Sequence, residues 1–291
     1  SMALHTSYKA SSNPPAGTIK TPKYSLSIFT LYKGIIFMQQ VKNLLNELKL
    51  YGMFHAIDSV ANHASQESMS FSEAFLLILQ EESQYRIAKK SMALQKKAAF
   101  RNNASLENWD GTFDRGLSRQ QLRELAGLHF YNKKQNLILV GQTGVGKTQL
   151  SIALGRVACH NSIGVSFLST NRFFEEYNVA QSTGKTIQWI KNLSKIPILI
   201  LDDFALRHYT HQEATILLEV IEERFQKGSM IITSQIDPSG WNVLFDDPAM
   251  VDAILDRLQN PAQKIVLTGP SYRAQLGREQ IGATGQGGQK E

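Results

Sequence analysis

At 291 residues, with 42% hydrophobic and 19% charged residues, the chain has the make-up of one large folded domain, or of a core domain with an appendage, and wholesale disorder is excluded. Its single cysteine, Cys159, rules out an internal disulfide or a cysteine zinc cluster and suits a reducing, cytoplasmic setting, and no stretch approaches the roughly 20 apolar residues of a membrane-spanning helix. The formal net charge of +6 sits in one place: Arg86, Lys89, Lys90, Lys96, Lys97 and Arg101 follow one another without an acid, and outside them the basic residues only equal the 25 acids in number.

Residues 1–37 are expected to be a leader or disordered extension, since "YSLSIFTLYKGIIF" is too short to span a membrane and is interrupted by Lys33 and Gly34. From Met38 the apolar positions Val41, Leu44, Leu45 and Leu48 follow helical spacing, and a second short helix starts at Met53. "MSFSEAFLLILQEESQYRIAKKSMALQKKAAF" predicts one or two long helices capped by Ser70 or Ser72, with Phe71, Phe75, Leu76, Leu79, Ile87, Leu94 and Phe100 as a buried stripe. Residues 38–101 thus form a small all-α N-terminal domain, and the polar stretch 102–117 with its Trp-Asp-Gly break reads as a linker.

Residues 118–273 alternate helix and strand. A helix is expected over Arg119–Tyr131, then strands at Asn136–Val140, Gly164–Leu168, Pro197–Leu201, Ser229–Thr233 and Lys264–Leu267. Helices are expected at Lys147–His160, Arg172–Gln181, Gln212–Phe225 and Pro248–Gln259. Short apolar, β-branched strands separated by helices predict an α/β fold with a central parallel sheet flanked by helices. Residues 274–291, rich in Gly and Gln, read as a disordered tail.

The strongest chemical signal is "VGQTGVGKTQL". Gly141, Gly144, Gly146, Lys147 and Thr148 satisfy the P-loop pattern between a strand and a helix, and Gln142, Thr143, Val145 and Gln149 complete the loop that would contact a nucleotide. Glycines let successive backbone N–H groups face phosphate oxygens, and the helix N-terminus adds positive potential. Lys147 supplies a charge for the β/γ-phosphates, and Thr148 offers a hydroxyl to Mg²⁺. "IPILILDDF" is the expected companion: an apolar strand delivers Asp202 to the sheet edge to hold the metal, and Asp203 to orient or deprotonate a water. Thr233, Ser234 or Gln235 would emerge beside that edge, where a γ-phosphate sensor belongs. His208 and His211 form an HxxH pair near Glu213 that is too sparse to read as a zinc site.

With these motifs in place, the chain resembles the AAA+ ATPases, and among them the IstB family of insertion-sequence ATP-binding proteins that assist a transposase. The resemblance runs from about Met38 to Arg273. It is carried by "RGLSRQQLRELAGL", "VGQTGVGKTQLSIALG", "LILDDF", "IITSQ" and "AILDRLQNPAQKIVLTGPSYR". It implies an AAA+ P-loop core, ATP with Mg²⁺, hydrolysis, and a homo-oligomer with ATP sites at subunit interfaces. Arg257 in "DRL" resembles an arginine finger serving a neighbour's site, and Arg273 in "GPSYR" a second phosphate sensor. Gln235 stands where the family usually has Asn. The partners implied are double-stranded DNA and a cognate transposase; a DnaC-type helicase loader is the alternative, with a small-molecule kinase or a non-hydrolysing scaffold behind it.

In that setting the basic run reads as a duplex contact. Arg86, Lys90, Lys97 and Arg101 share one helical face with Lys89 and Lys96 beside them, and no aromatic residue interrupts the charge. Backbone phosphates need only cations, so contact with little sequence readout is expected.

Overall fold

A computed structural model describes residues 24–109, 115–272 and 274, with the backbone alone for 24–33 and 35. Of the expected leader over 1–37, residues 1–23 lie outside the described residues, as do 110–114 of the linker and 275–291 of the tail expected over 274–291. The chain divides into two compact units between Glu82 and Ser83. That division falls inside a helix, upstream of the linker that the polar stretch suggested.

The first unit contains α1 (Tyr24–Glu47), α2 (Tyr51–Gln66) and the start of α3 (Phe71–Ala98). Helix α1 runs through Phe37 and Met38, where the amphipathic pattern had suggested that the fold begins. Helix α2 buries Met53, Ala56 and Val60, one stripe at helical spacing. Lys42 of α1 pairs with Asp58 of α2. Ser70 caps α3, its hydroxyl accepting from the Glu73 N–H while the Glu73 carboxylate accepts from the Ser70 N–H.

No side chain caps α2 from Leu50. Its first N–H groups are met instead by Glu82, a buried carboxylate that accepts from Gly52 N at 2.7 Å and Met53 N at 3.2 Å. A negative group at a helix N-terminus also gains from the helix dipole. Replacing it with Ala leaves two buried donors unmet, so Glu82→Ala is expected to destabilise the protein by about 1–3 kcal/mol, read from denaturant unfolding.

The apolar stripe of α3 is not buried as its spacing suggested. Phe71, Phe75, Leu76, Leu79 and Ile87 are exposed, while Leu94 and Phe100 are partly buried against the core of the second unit. Periodicity marks which face of a helix is apolar; it does not say whether another element arrives to cover it.

The second unit continues α3 and adds α4 (Arg119–Ala126), α5 (His129–Asn132), β1 (Asn136–Gly141), α6 (Lys147–His160), β2 (Val165–Ser169), α7 (Thr170–Ser182), α8 (Thr186–Ser194), β3 (Ile198–Phe204), α9 (His211–Arg224), β4 (Ser229–Ser234), α10 (Pro248–Gln259) and β5 (Ala262–Leu267). A 3-10 helix, Pro238–Leu244, follows β4. The five strands form one parallel sheet in the order β2-β3-β4-β1-β5. Strand residues alternate between two cores: Leu137, Leu139, Ile198 and Ile200 face one, Ile138, Val140, Leu199 and Leu201 the other. Both faces are covered, which is why these strands read as unbroken apolar runs.

Capping decides the helix boundaries. Ser118 with Gln121 and Thr210 with Glu213 form reciprocal capping boxes on α4 and α9, and Ser169 and Asp247 cap α7 and α10. The single helix expected over Arg119–Tyr131 is two, because Leu128 takes a left-handed conformation (φ 53) between them. Helix α8 was not anticipated: it is nine residues long and starts from Lys185 without a side-chain cap.

Candidate functional site at the P-loop edge of the sheet

Strand β1 delivers Gly141 to the sheet edge, and α6 opens at Lys147. Gly144 and Gly146 adopt positive φ, 88 and 104 degrees. A Cβ on Gly144 would lie 2.1 Å from Ser271 Oγ, so sterics as well as backbone angle demand glycine there. Lys147 is buried, and its Nζ donates to the Gly141 carbonyl at 2.7 Å and the Gln142 carbonyl at 2.9 Å. Burial pushes its pKa down, against the opposing pull of Asp203 and Asp202.

Strand β3 ends in Asp202 and Asp203. Asp202 is fully buried; its Oδ1 accepts from Thr148 Oγ1 at 2.8 Å and Thr233 Oγ1 at 2.7 Å. Its Oδ2 makes no hydrogen bond. Burial raises its pKa, with Asp203 adding to the rise and the two hydroxyl bonds and Arg101 opposing it. An uncommitted carboxylate oxygen beside a threonine hydroxyl is a hard-oxygen donor set, so these residues fit Mg²⁺, which keeps few protein ligands and shares phosphate.

Between Leu201 and Phe204 the register with β4 shifts, and Asp203 takes a left-handed conformation (φ 59). The bulge turns its side chain outward, 41% exposed. Thr233 holds that geometry by accepting from the Asp203 N–H at 3.0 Å while donating to Asp202. Among the three sensor candidates, Thr233 is therefore tied to the Asp202 carboxylate and the Asp203 backbone. Ser234 is tied to Ile236 and Trp241. Gln235 alone of the three lines the cleft.

That cleft has a volume of about 560 Å³ and is lined by Gly144, Lys147, Thr148, Asp203 and Gln235 among others. A cleft of about 610 Å³ between α7 and α8, lined by Val179, Ala180 and Trp189, contains none of the P-loop or β3-edge residues. The chemistry converges on the first.

Residues 43–280 match the family of IstB-like ATP binding proteins. The chain belongs to that family. An insertion-sequence ATP-binding protein of Sinorhizobium fredii is 34% identical over 229 residues, covering 79% of this chain and 94% of that protein. One from Mycobacterium tuberculosis is 34% identical over 237 residues, covering 80% and 93%. The crystal structure of DnaI matches 57% of this chain and 92% of its own at a TM-score of 0.50 and 21% identity, a likeness of fold. The protein is thus an ATP-binding member of the IstB-like group on an AAA+ P-loop fold.

Other residues singled out in this IstB-like sequence fall in different places. Arg257 lies on α10 and pairs with Glu222 of α9 at 2.8 Å, not with Asp252 or Asp256 of its own helix. Its carbonyl accepts from Asn136 at the start of β1, so it sits at the opposite end of that strand from the P-loop. Arg273 lies outside the described residues, although its neighbour Tyr272 donates its N–H to the Gly144 carbonyl at 3.1 Å.

Arg86, Lys89, Lys90, Lys96 and Lys97 are exposed on α3, while Ser91 and Ala98 turn inward and Leu94 is half-buried. Arg101 does not share their face. The helix ends at Ala98, Ala99 takes a left-handed conformation (φ 56), and Arg101 turns to the cleft, 3.6 Å from Asp202 and 3.7 Å from Asp203.

Two features escaped the motif reading. Thr233, a sensor candidate by sequence, braces the Asp202 carboxylate and the Asp203 backbone. Arg115 is buried with its guanidinium 4.0 Å from the Trp109 ring and 4.2 Å from the Tyr272 ring, and all three line the cleft. An arginine and an aromatic in a polar stretch carry no spacing signal, and their meeting needs the C-terminal segment to fold back over the P-loop.

Proposed function

We propose that this protein is an ATPase that binds duplex DNA, assembles on it with ATP, and assists a transposase in placing an insertion. The observation that carries the ATPase reading is the meeting of Lys147, Thr148 and Asp203 at one cleft, with the buried Asp202 accepting directly from Thr148. Support for the transposition role comes from relatives named as insertion-sequence ATP-binding proteins. The likeness to DnaI is one of fold, and does not favour a helicase loader.

The residues divide the work as follows. The P-loop N–H groups and the α6 N-terminus receive the phosphates, and Lys147 places its charge among them. Thr148 and Asp202 would hold Mg²⁺, which when bound neutralises charge on the phosphates. Asp203, turned outward by the bulge, positions the attacking water, and Gln235 reports on the terminal phosphate. Arg257, at the far end of β1 from its own P-loop, serves the site of a neighbouring subunit after exchanging its Glu222 partner for phosphate. Such a finger in trans makes assembly and hydrolysis depend on one another.

Arg86, Lys89, Lys90, Lys96 and Lys97 provide the duplex-facing surface. Among the described residues no helix is long and apolar enough to cross a membrane, and we place the protein in the cytoplasm, on DNA when assembled. Electron microscopy of the protein on duplex DNA with and without ATP tests the assembly; oligomers that form equally without ATP would overturn it. For the contact surface, the double variant Lys90→Ala, Lys97→Ala is expected to weaken binding on all sequences and reduce the salt slope by about two units. An unchanged slope removes α3 from the interface.

A further inference from the structure

Arg101 stands apart from the other basic residues of its segment. Three residues beyond the end of α3, it enters the nucleotide cleft from outside the P-loop, β3 and β4, the elements that supply the recognised motifs. Its backbone is held firmly. Phe100 packs against Gly155 of α6, where a Cβ would come within 2.8 Å of its ring, and lies 6.4 Å edge-on from Phe167. Asn103 accepts from Arg156 of α6 at 3.3 Å, and Ala98 is buried on the other side. The guanidinium sits over the Phe167 ring at 5.7 Å. Its nearest carboxylate oxygens, at 3.6 and 3.7 Å, are beyond hydrogen-bond reach, so these contacts steer the charge without consuming its donors.

A duplex about 20 Å wide cannot enter a cleft of about 560 Å³, whereas a nucleotide fits one of that size. The geometry points to Arg101 as a terminal-phosphate contact of the same subunit, giving the site a preference for nucleoside triphosphate over diphosphate. This rests on the ATP-site reading above. A guanidinium suits the role because its planar fork matches two phosphate oxygens and it stays charged whatever its neighbours. Lys147 and Arg101 then approach the phosphates from different segments of the chain. Lys147 belongs to the motif of every P-loop; Arg101 belongs to the segment that leads directly out of the basic helix.

The placement has a consequence for coupling. Lys97 and Arg101 are joined through the buried Ala98 and the partly buried Phe100, so an ATP-dependent ordering of Arg101 acts on the end of α3. By linkage, a triphosphate that favours one arrangement of this segment changes duplex affinity, and duplex changes triphosphate affinity by the same factor.

The test measures affinity for β,γ-methylene-ATP and for ADP, each with Mg²⁺, by calorimetry on the full chain carrying Arg101→Ala or Arg101→Lys. Arg101→Ala is expected to lose about tenfold for the triphosphate, the scale of one charged hydrogen bond, with ADP affinity within about twofold of wild type. Arg101→Lys, which keeps the charge but not the fork, falls between. The same variants are titrated with duplex DNA, with and without β,γ-methylene-ATP; the enhancement of duplex affinity by nucleotide should shrink towards one in Arg101→Ala. Equal losses for both nucleotides, or no loss for either, overturn the inference. So does a fall in duplex affinity of the same size with and without nucleotide, which makes Arg101 a DNA contact like its neighbours. If the unsubstituted protein binds neither nucleotide, it is the ATP-site reading that fails.

Discussion

Lys147→Ala is expected to lower affinity for ATP by at least about 100-fold and to abolish ATP-dependent assembly while the fold persists. The loss combines two contributions. Lys147 is 7% exposed and closes the P-loop by donating to the carbonyls of Gly141 and Gln142, and its ammonium is the motif's own charge for the phosphates. Hydrogen bonds to charged groups contribute about 1.5–3 kcal/mol each, so losing one or two reaches that factor. The fold should tolerate the change. Burial holds the lysine pKa down, which means that the folded state gains little from this charge, and alanine suits the first turn of α6. Calorimetry with β,γ-methylene-ATP, circular dichroism melting and microscopy on duplex DNA check the three parts. Preserved ATP-dependent assembly would remove the nucleotide as the switch.

Asp202→Asn should slow hydrolysis by about 100- to 1000-fold and, in metal-free buffer at neutral pH, make the protein more stable by about 1–2 kcal/mol. The two effects have one cause. A carboxylate kept fully buried, with one oxygen lacking a hydrogen bond, costs the fold stability, and the same oxygen is the one a cation would use. Asparagine can still accept from Thr148 and Thr233 through its carbonyl oxygen, and it brings no charge. The sign of the pH dependence follows. Burial raises the Asp202 pKa above its ordinary 3.8, so the folded state holds the proton more firmly than the unfolded chain. The stability that proton contributes is complete below 3.8 and is lost as pH rises through the raised folded value. The advantage of Asp202→Asn is therefore largest at neutral pH and shrinks in acid. Thermal melting across pH, with EDTA and without nucleotide, reads this directly; a variant less stable than wild type at neutral pH would contradict the account. Phosphate release with Mg²⁺ and duplex DNA reads the hydrolytic loss.

Much of the P-loop edge of the sheet was legible because a P-loop is local in sequence. Gly141 to Thr148 must follow one another for the loop to wrap a phosphate, and an apolar strand must precede Asp202 for the carboxylate to reach the sheet edge. The central strands were legible for a related reason: residues such as Ile198 to Leu201 are apolar throughout because helices cover both faces. The helix starts are set locally too, by Ser118, Ser169, Thr210 and Asp247, whose side chains act within three residues.

What the sequence determined by itself, then, was the family resemblance, the strand-helix alternation and the phosphate loop, since each depends on neighbours along the chain. Tertiary structure alone decided the rest. Only folding shows that Thr233 is spent on the Asp202 carboxylate and the Asp203 backbone, that Arg257 lies at the far end of β1 paired with Glu222, and that Arg115 lies against the rings of Trp109 and Tyr272. The basic run shows the limit most clearly. Its six cations looked alike at helical spacing, but one left-handed residue, Ala99, ends the regular turn and sends Arg101 to the P-loop cleft while Lys97 stays on the helix surface. A pattern of charge reports periodicity; a single backbone dihedral decided which site each charge joins.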